Sequence, residues 1–213
     1  MKAILILLLI APIVFFVAMK NGSSKDISAV PEDYEVNNYK LHRNGVTVLC
    51  ENEPEGKVFN LNGESYRVVY TKDDAKKYAG KACTSNMKDM SDMRFGKNFN
   101  LDISHWDTHN VKDMTFMFKD ARDFNQDISH WDVRNVEKMY GMFYNAYTFN
   151  QDISGWNVSR VYDFNNMFYG ASYFNQILAN WCVDKVSKKV EGFADKSGFE
   201  DMPGFHPNWG HCP

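Results

Sequence analysis

Three acid and hydroxyl pairs, Asp102/Ser104, Asp127/Ser129 and Asp152/Ser154, recur at a fixed spacing of 25 residues. Carboxylates stacked one repeat apart repel one another unless something compensates. Three arrangements would do so. Backbone amides at a tight corner can hydrogen-bond each carboxylate; the acids and serines can form an exposed face that meets a ligand; or calcium can sit between them. The glycine-rich Asp motif of calcium-binding β-rolls is missing. His105, His109 and His130 belong to the same phrases, and a four-residue spacing on a helix would pair His105 with His109 on a metal. Trp106-Asp107 falls between them at a corner, so the three read as surface or corner histidines. Trp106, Trp131, Trp156 and Trp181 either stack sugars or pack a corner, and a ladder of equivalent aromatics reads as core packing. Asn100, Asn125, Asn150 and Asn175 read as an amide ladder satisfying backbone groups. The methionines from Met87 to Met167 fill core. Every Ser, His and Asp of interest is a repeat position, so no catalytic set separates from the pattern. No phosphate-binding glycine loop and no isolated acid pair is present, and the sequence implies neither catalytic residues, cofactor nor metal.

The elements that position these groups are the repeat itself. Phe99-Asn100-Leu101-Asp102-Ile103-Ser104-His105-Trp106 returns as Phe124 to Trp131 and Phe149 to Trp156, and in worn form as Phe174 to Trp181. Between copies run Val111, Met114, Met117, Phe118 and Ala121, then Val136, Met139, Met142, Phe143 and Ala146, then Val161, Phe164, Met167, Phe168 and Ala171. This spacing predicts one face of a short helix, and the polar-apolar-polar Asp-Ile-Ser predicts a short strand with one buried side. One such unit cannot cover its own apolar face, so neighbours must stack on it. The expected fold class is α/β, a leucine-rich-repeat-like solenoid of about four 25-residue strand-plus-short-helix rungs. A β-hairpin would cap its N-terminal end and a turn-rich segment its C-terminal end.

The phrase Phe-Asn-Gln-Asp-Ile-Ser-x-Trp-Asp-Val-x-x-Val-x-x-Met-x-x-Met-Phe-x-x-Ala resembles the repeat of the BspA-like leucine-rich-repeat surface proteins of bacteria, over about half of the chain. The resemblance implies a leucine-rich-repeat-like fold, export to the bacterial cell surface, and adhesion or partner binding. It implies no catalytic residues.

In chain order, Met1-Lys2 and the apolar run Ala3 to Met19 read as a signal peptide or signal anchor over 1–20. No lipid-attachment cysteine lies near its end. Polar residues 21–43 read as a linker. Residues 44–85 read as the N-terminal cap, with a strand at 46–50, a hairpin at 57–70 about Asn62-Gly63, and a helical turn at Asp73 to Tyr78. Residues 86–181 are the repeats, the first of them one residue short at Met87, Met90 and Met93. Residues 182–213 form the C-terminal cap, where Val186, Phe193 and Phe199 keep the register and Pro203 to Pro213 lies across the last repeat as a lid. Four cysteines in an exported chain point to disulfides. Their placement favours Cys50 with Cys83 and Cys182 with Cys212, each closing a loop of about 30 residues and worth about 3 kcal/mol. No C-x-x-C pair supports a metal site. The sequon Asn157-Val158-Ser159 has meaning only in a glycosylating host.

A formal charge of −3 and pI near 6.1 give no electrostatic case for nucleic acid. A membrane would be met only through the N-terminal segment, if it is retained. The expected function is non-catalytic binding of a protein or glycan on a cell surface through the repeats, with Asp102, Ser104, Asp127, Ser129, Asp152 and Ser154 as the candidate face. A purely structural spacer and an exported carbohydrate hydrolase are the alternatives. Variation at 105, 130 and 155 and at 109, 134 and 159 favours binding.

Overall fold

The computed structural model describes residues 33–36, 39–42, 44–186 and 190–213; the leader read over 1–20 lies outside the described residues. No helix among the described residues is long and apolar enough to cross a membrane.

The N-terminal module holds two small sheets. β1 (Asp33–Val36), β2 (Tyr39–His42) and β3 (Val48–Leu49) pair antiparallel in that order, with β1 and β2 inside the stretch read as linker. β4 (Val58–Leu61) and β5 (Glu64–Val68) form a hairpin, and β6 (Ala82–Cys83) adds parallel to β5. The two-residue hairpin turn needs positive φ at both centres, which Asn62 (52°) and Gly63 (83°) supply. α1 (Lys72–Lys77) begins where the Thr71 hydroxyl accepts the Asp74 amide at 3.2 Å. Its first turn carries Asp73 and Asp74 and its last Lys76 and Lys77, matching the helix dipole.

The expectation of a leucine-rich-repeat-like solenoid built from strand-plus-short-helix rungs is overturned. Between residues 84 and 202 the described residues hold no helix and no strand, only single parallel bridges Asp89 to Asp113, Asp113 to Lys138 and Lys138 to Asp163. What replaces them is a succession of tight turns. In the second repeat Met117 donates its amide to Met114, Lys119 to Phe116, Ala121 to Phe118 and Phe124 to Ala121, all three residues back and at 3.1–3.2 Å. Phe116 and Asp120 have φ of 56° and 59°, as do Gly141 and Asn145 (55° each) and Asn166 and Gly170 (56° and 72°) in the same register. A left-handed residue every fourth position cannot lie within a right-handed helix. The turns leave alternate amides free to pair with the next repeat. Met114, Phe116, Phe118 and Asp120 donate to the carbonyls of Lys138, Tyr140, Met142 and Tyr144 at 2.8–3.0 Å, and Met139, Gly141, Phe143 and Asn145 repeat this on Asp163, Asn165, Met167 and Tyr169.

Equivalent side chains touch across repeats. Phe99, Phe124, Phe149 and Phe174 stack at 5.8–5.9 Å between ring centroids, and Phe95, Phe118, Phe143 and Phe168 at 5.5 Å. The buried indoles of Trp131, Trp156 and Trp181 each donate Nε1–H to an isoleucine carbonyl 28 residues back, and Trp106 donates to Ala79 in the N-terminal module. Asp-Ile-Ser is no strand, because Ile103 opens a turn closed by the Trp106 amide.

At the far end Phe193 and Phe199 keep the register but turn edge-on to Phe168, at 87° each. Leu178 and Val183 donate amides to Phe205 and His211, Trp209 packs on Phe164 and Phe193, and a disulfide joins Cys182 to Cys212.

Candidate functional site

The six predicted face residues sit at exposed or half-buried corners. Asp102, Asp127 and Asp152 each accept, through Oδ1, the amide of the serine two residues on, at 2.9 Å. Those serine bonds hold the Asp127 and Asp152 carboxyls below the usual range. For Asp102 burial is the largest influence and works upward, but the Ser104 bonds outweigh it and the net shift is again downward. The acids therefore close their own turns. Among the described residues, the one group of three His, Cys, Asp or Glu ligand atoms within 4.8 Å of one another is Cys182, Asp184 and Cys212, and its two sulfurs are spent on a disulfide. The three carboxylates do not converge on a calcium position.

A pronounced concavity lies elsewhere. A cleft of about 830 Å³ opens where the loop after β3 overhangs the corners that follow Trp106, Trp131 and Trp156. The loop is pinned from several sides. Cys50 is bonded to Cys83, its amide donates to Ser85 Oγ at 3.0 Å, its carbonyl accepts Asn86 Nδ2 at 3.2 Å, and Tyr70 Oη donates to the Glu53 carbonyl at 2.6 Å. The facing wall is a repeated turn in which Asp107, Asp132 and Asn157 each accept, at 3.2 Å, the amide two residues on, from His109, Arg134 and Ser159. His109 and Arg134, which follow the first two of these turns, border the cleft and differ from each other, whereas the equivalent Ser159 does not border it. Of the predicted face only Ser129 borders it.

His109 is the tie between module and repeats. Its Nδ1 lies 2.8 Å from Asp107 Oδ1 and its Nε2 2.9 Å from Glu51 Oε1. The Asp107 hydrogen bond raises its pKa, partly offset by burial and helped by the charges of Asp107 and Glu51. Asp107 is pushed up by burial more than by any other single influence, yet the hydrogen bonds from His109 and Ser85 and the His109 charge together prevail and its pKa ends lowered. Both His109 nitrogens are thus engaged by carboxylate oxygens, an arrangement that favours the protonated ring over a free base. His130 Nε2 lies 2.9 Å from the Ser104 carbonyl, which fixes it as a donor. Arg134 turns back on Asp132 through Nε at 2.8 Å.

His105 corrects the reading of surface or corner histidines. It is 8% exposed, its carbonyl accepts the Val48 amide, its ring lies 5.4 Å from that of Tyr66, and Nε2 finds no hydrogen-bond partner among the described residues. Burial pushes its pKa down to about 4. The four tryptophans are 0–4% exposed, which removes them as sugar platforms.

Sequence reasoning missed Glu51, Asp107, Asp132 and Asn135 as cleft residues. Asp107-Thr108 after Trp106 and Asp132-Val133 after Trp131 carried the turn signal, but nothing local reports that Glu51 arrives opposite His109.

No curated protein and no solved structure matches the chain. Residues 65–181, from β5 through the last Trp of the ladder and more than half of the chain, match the family described as "Mycoplasma protein of unknown function, DUF285", and the chain belongs to that family.

Proposed function

We propose that this is a non-catalytic, exported bacterial surface protein that binds a protein or glycan partner through its repeats, with the cleft as the principal site. The observation that carries the reading is the cleft wall. A recurring turn places His109 in one repeat and Arg134 in the next on the wall of a polar concavity, while the core beneath stays constant. A constant scaffold with variable presented residues serves recognition. The engagement of both His109 nitrogens argues against general-base chemistry there. Two disulfides accord with an oxidising exterior, and the likeness of the repeat to that of BspA-like surface proteins supports the same placement.

The test is saturable binding of the fluorescently labelled full chain to intact cells, compared with Arg134→Glu and Asn135→Ala. Loss of at least tenfold in affinity in either variant, with unchanged thermal unfolding, is expected. Absence of saturable binding, or equal binding by both variants, replaces this reading with that of a structural spacer.

A further inference from the structure

A second surface, on the corner that carries the amide ladder, has chemistry of its own. Tyr173 is 68% exposed and Tyr147 38% exposed, and they belong to adjoining repeats joined by the Tyr173 amide donating to the Tyr147 carbonyl at 3.1 Å. The Arg122 guanidinium lies 5.2 Å from the Tyr147 ring centroid, so that ring is backed by a cation from the preceding repeat. Buried Phe149 and Phe174 lie between these tyrosines and the amides that follow them in sequence.

Those amides are fixed in orientation. Asn100, Asn125 and Asn150 each accept through Oδ1 the backbone amide of the next Asn at 2.9–3.0 Å and the Nε2 of the next Gln (Gln126, Gln151, Gln176) at 2.8–2.9 Å. A backbone N–H can only donate, so each Asn oxygen faces inward along the ladder. Left without a partner among the described residues are Nδ2 of Asn125 and Asn150, which donates, and Oε1 of Gln126, Gln151 and Gln176, which accepts. The ladder thus offers immobilised donors and acceptors, and Asn150, Gln151 and Gln176 lie three or four residues in sequence past the exposed Tyr147 and Tyr173.

From this we infer that the Tyr147/Tyr173 corner with its Asn/Gln ladder is a binding site for neutral glycan chains. Sugar hydroxyls both donate and accept, so fixed donors and acceptors suit them, and an apolar sugar face covers a tyrosine ring at little entropic cost because Tyr has few rotamers to lose. Ordering the amides in advance lowers what binding must spend on them. The charges select among ligands. Asp127 and Asp152, two residues past Asn125 and Asn150, are held ionised by their serine bonds and repel phosphates and sulfates, which disfavours nucleic acid and anionic glycans. This site is separate from the cleft and does not depend on the cleft's role.

The experiment incubates the full chain with insoluble cellulose and chitin and with arrayed neutral and sulfated oligosaccharides. Retention on at least one neutral glycan is expected. Tyr173→Ala combined with Tyr147→Ala, and Gln151→Ala alone, should each weaken that retention at least tenfold, while Tyr173→Phe retains it. Arg134→Glu in the cleft should leave it unchanged, so failure of the cleft reading and failure of this one are distinguishable. Circular dichroism confirms that the variants are folded, which exposed positions favour. No retention on any neutral glycan, retention confined to sulfated chains, or retention indifferent to the tyrosine and Gln151 substitutions overturns the inference.

Discussion

Protonating His105 should unfasten the N-terminal module from the first repeat. The imidazole is enclosed between the module and the repeats, with the Tyr66 ring on one side, Asp102 and Lys81 as the nearest charges, and no partner for Nε2 among the described residues. The folded protein therefore prefers the neutral ring. A fall from an ordinary 6.5 to about 4 corresponds to about 3 kcal/mol, at roughly 1.4 kcal/mol per tenfold change in proton affinity. The sign follows from the depressed value: the full contribution is present above about 6.5 and is lost as the pH falls toward 4, where folded and unfolded states both hold the proton. Neighbouring groups act in other windows. His109, raised by Asp107, contributes fully below the unfolded histidine value and loses its contribution as the pH rises through its folded value. Asp102, Asp127 and Asp152, all lowered, lose theirs chiefly below their ordinary 3.8. Urea unfolding between pH 7 and 4.5 should show stability declining by about 2 to 3 kcal/mol. His105→Phe, which keeps a ring against Tyr66, should abolish most of that slope. A wild-type slope of the opposite sign, or one that survives in His105→Phe, would refute the assignment of a buried, neutral imidazole.

Two further perturbations probe the ladders. Trp156→Phe removes the indole N–H that the buried Ile128 carbonyl accepts at 3.1 Å and leaves that carbonyl with the Trp131 amide alone, so a loss of about 0.5–1.5 kcal/mol is expected, with a further loss for the smaller ring, read as a lowered urea midpoint at unchanged m. Gly141→Ala places a methyl 2.4 Å from Phe116 Cε1 at a φ of 55°, which should cost about 1–2 kcal/mol for the left-handed backbone plus the clash. Phe116→Ala removes the clash but not the backbone penalty, so the double variant should be more stable than the sum of the single losses predicts; strict additivity would show that ring and glycine do not meet.

The period was legible because stacking puts like on like. Phe124 on Phe149 and Trp131 over the Ile103 carbonyl need the same residue at the same place in each layer, so the sequence repeats wherever the core does. The hairpin at Asn62-Gly63 and the cysteine partners were legible too, the first from local turn chemistry and the second from placement. What misled was the run Val111, Met114, Met117, Phe118, Ala121. A chain of three-residue turns buries its side chains at nearly the spacing of a helix face, and periodicity alone does not separate the two. The separating signal lay in the positions between. Gly141, Asn145, Asn166 and Gly170 occupy the register of Phe116 and Asp120, and such residues recurring four apart mark left-handed backbone, which no helix of L-residues sustains.

The same turn architecture explains why the site was the least legible part. In a regular strand, the outward residues are read by alternation; here each outward side chain is aimed by its own local bond, as Asp132 aims Arg134 and Asp107 aims His109. Those aims can be inferred from Asp-x-x patterns one repeat at a time. The concavity cannot, because its other wall is Glu51, brought from 58 residues away by the Cys50 to Cys83 bond and the Ser85 contact. A ladder of equivalent turns makes a uniform surface, and the cleft forms where something unlike the ladder lies against it. For the cleft the N-terminal module is that unlike part, so binding there should depend on the junction it makes with the first repeats, and exchanging Asp184, at the equivalent place in the fourth repeat and outside the cleft, should alter cleft binding far less than exchanging His109 or Arg134.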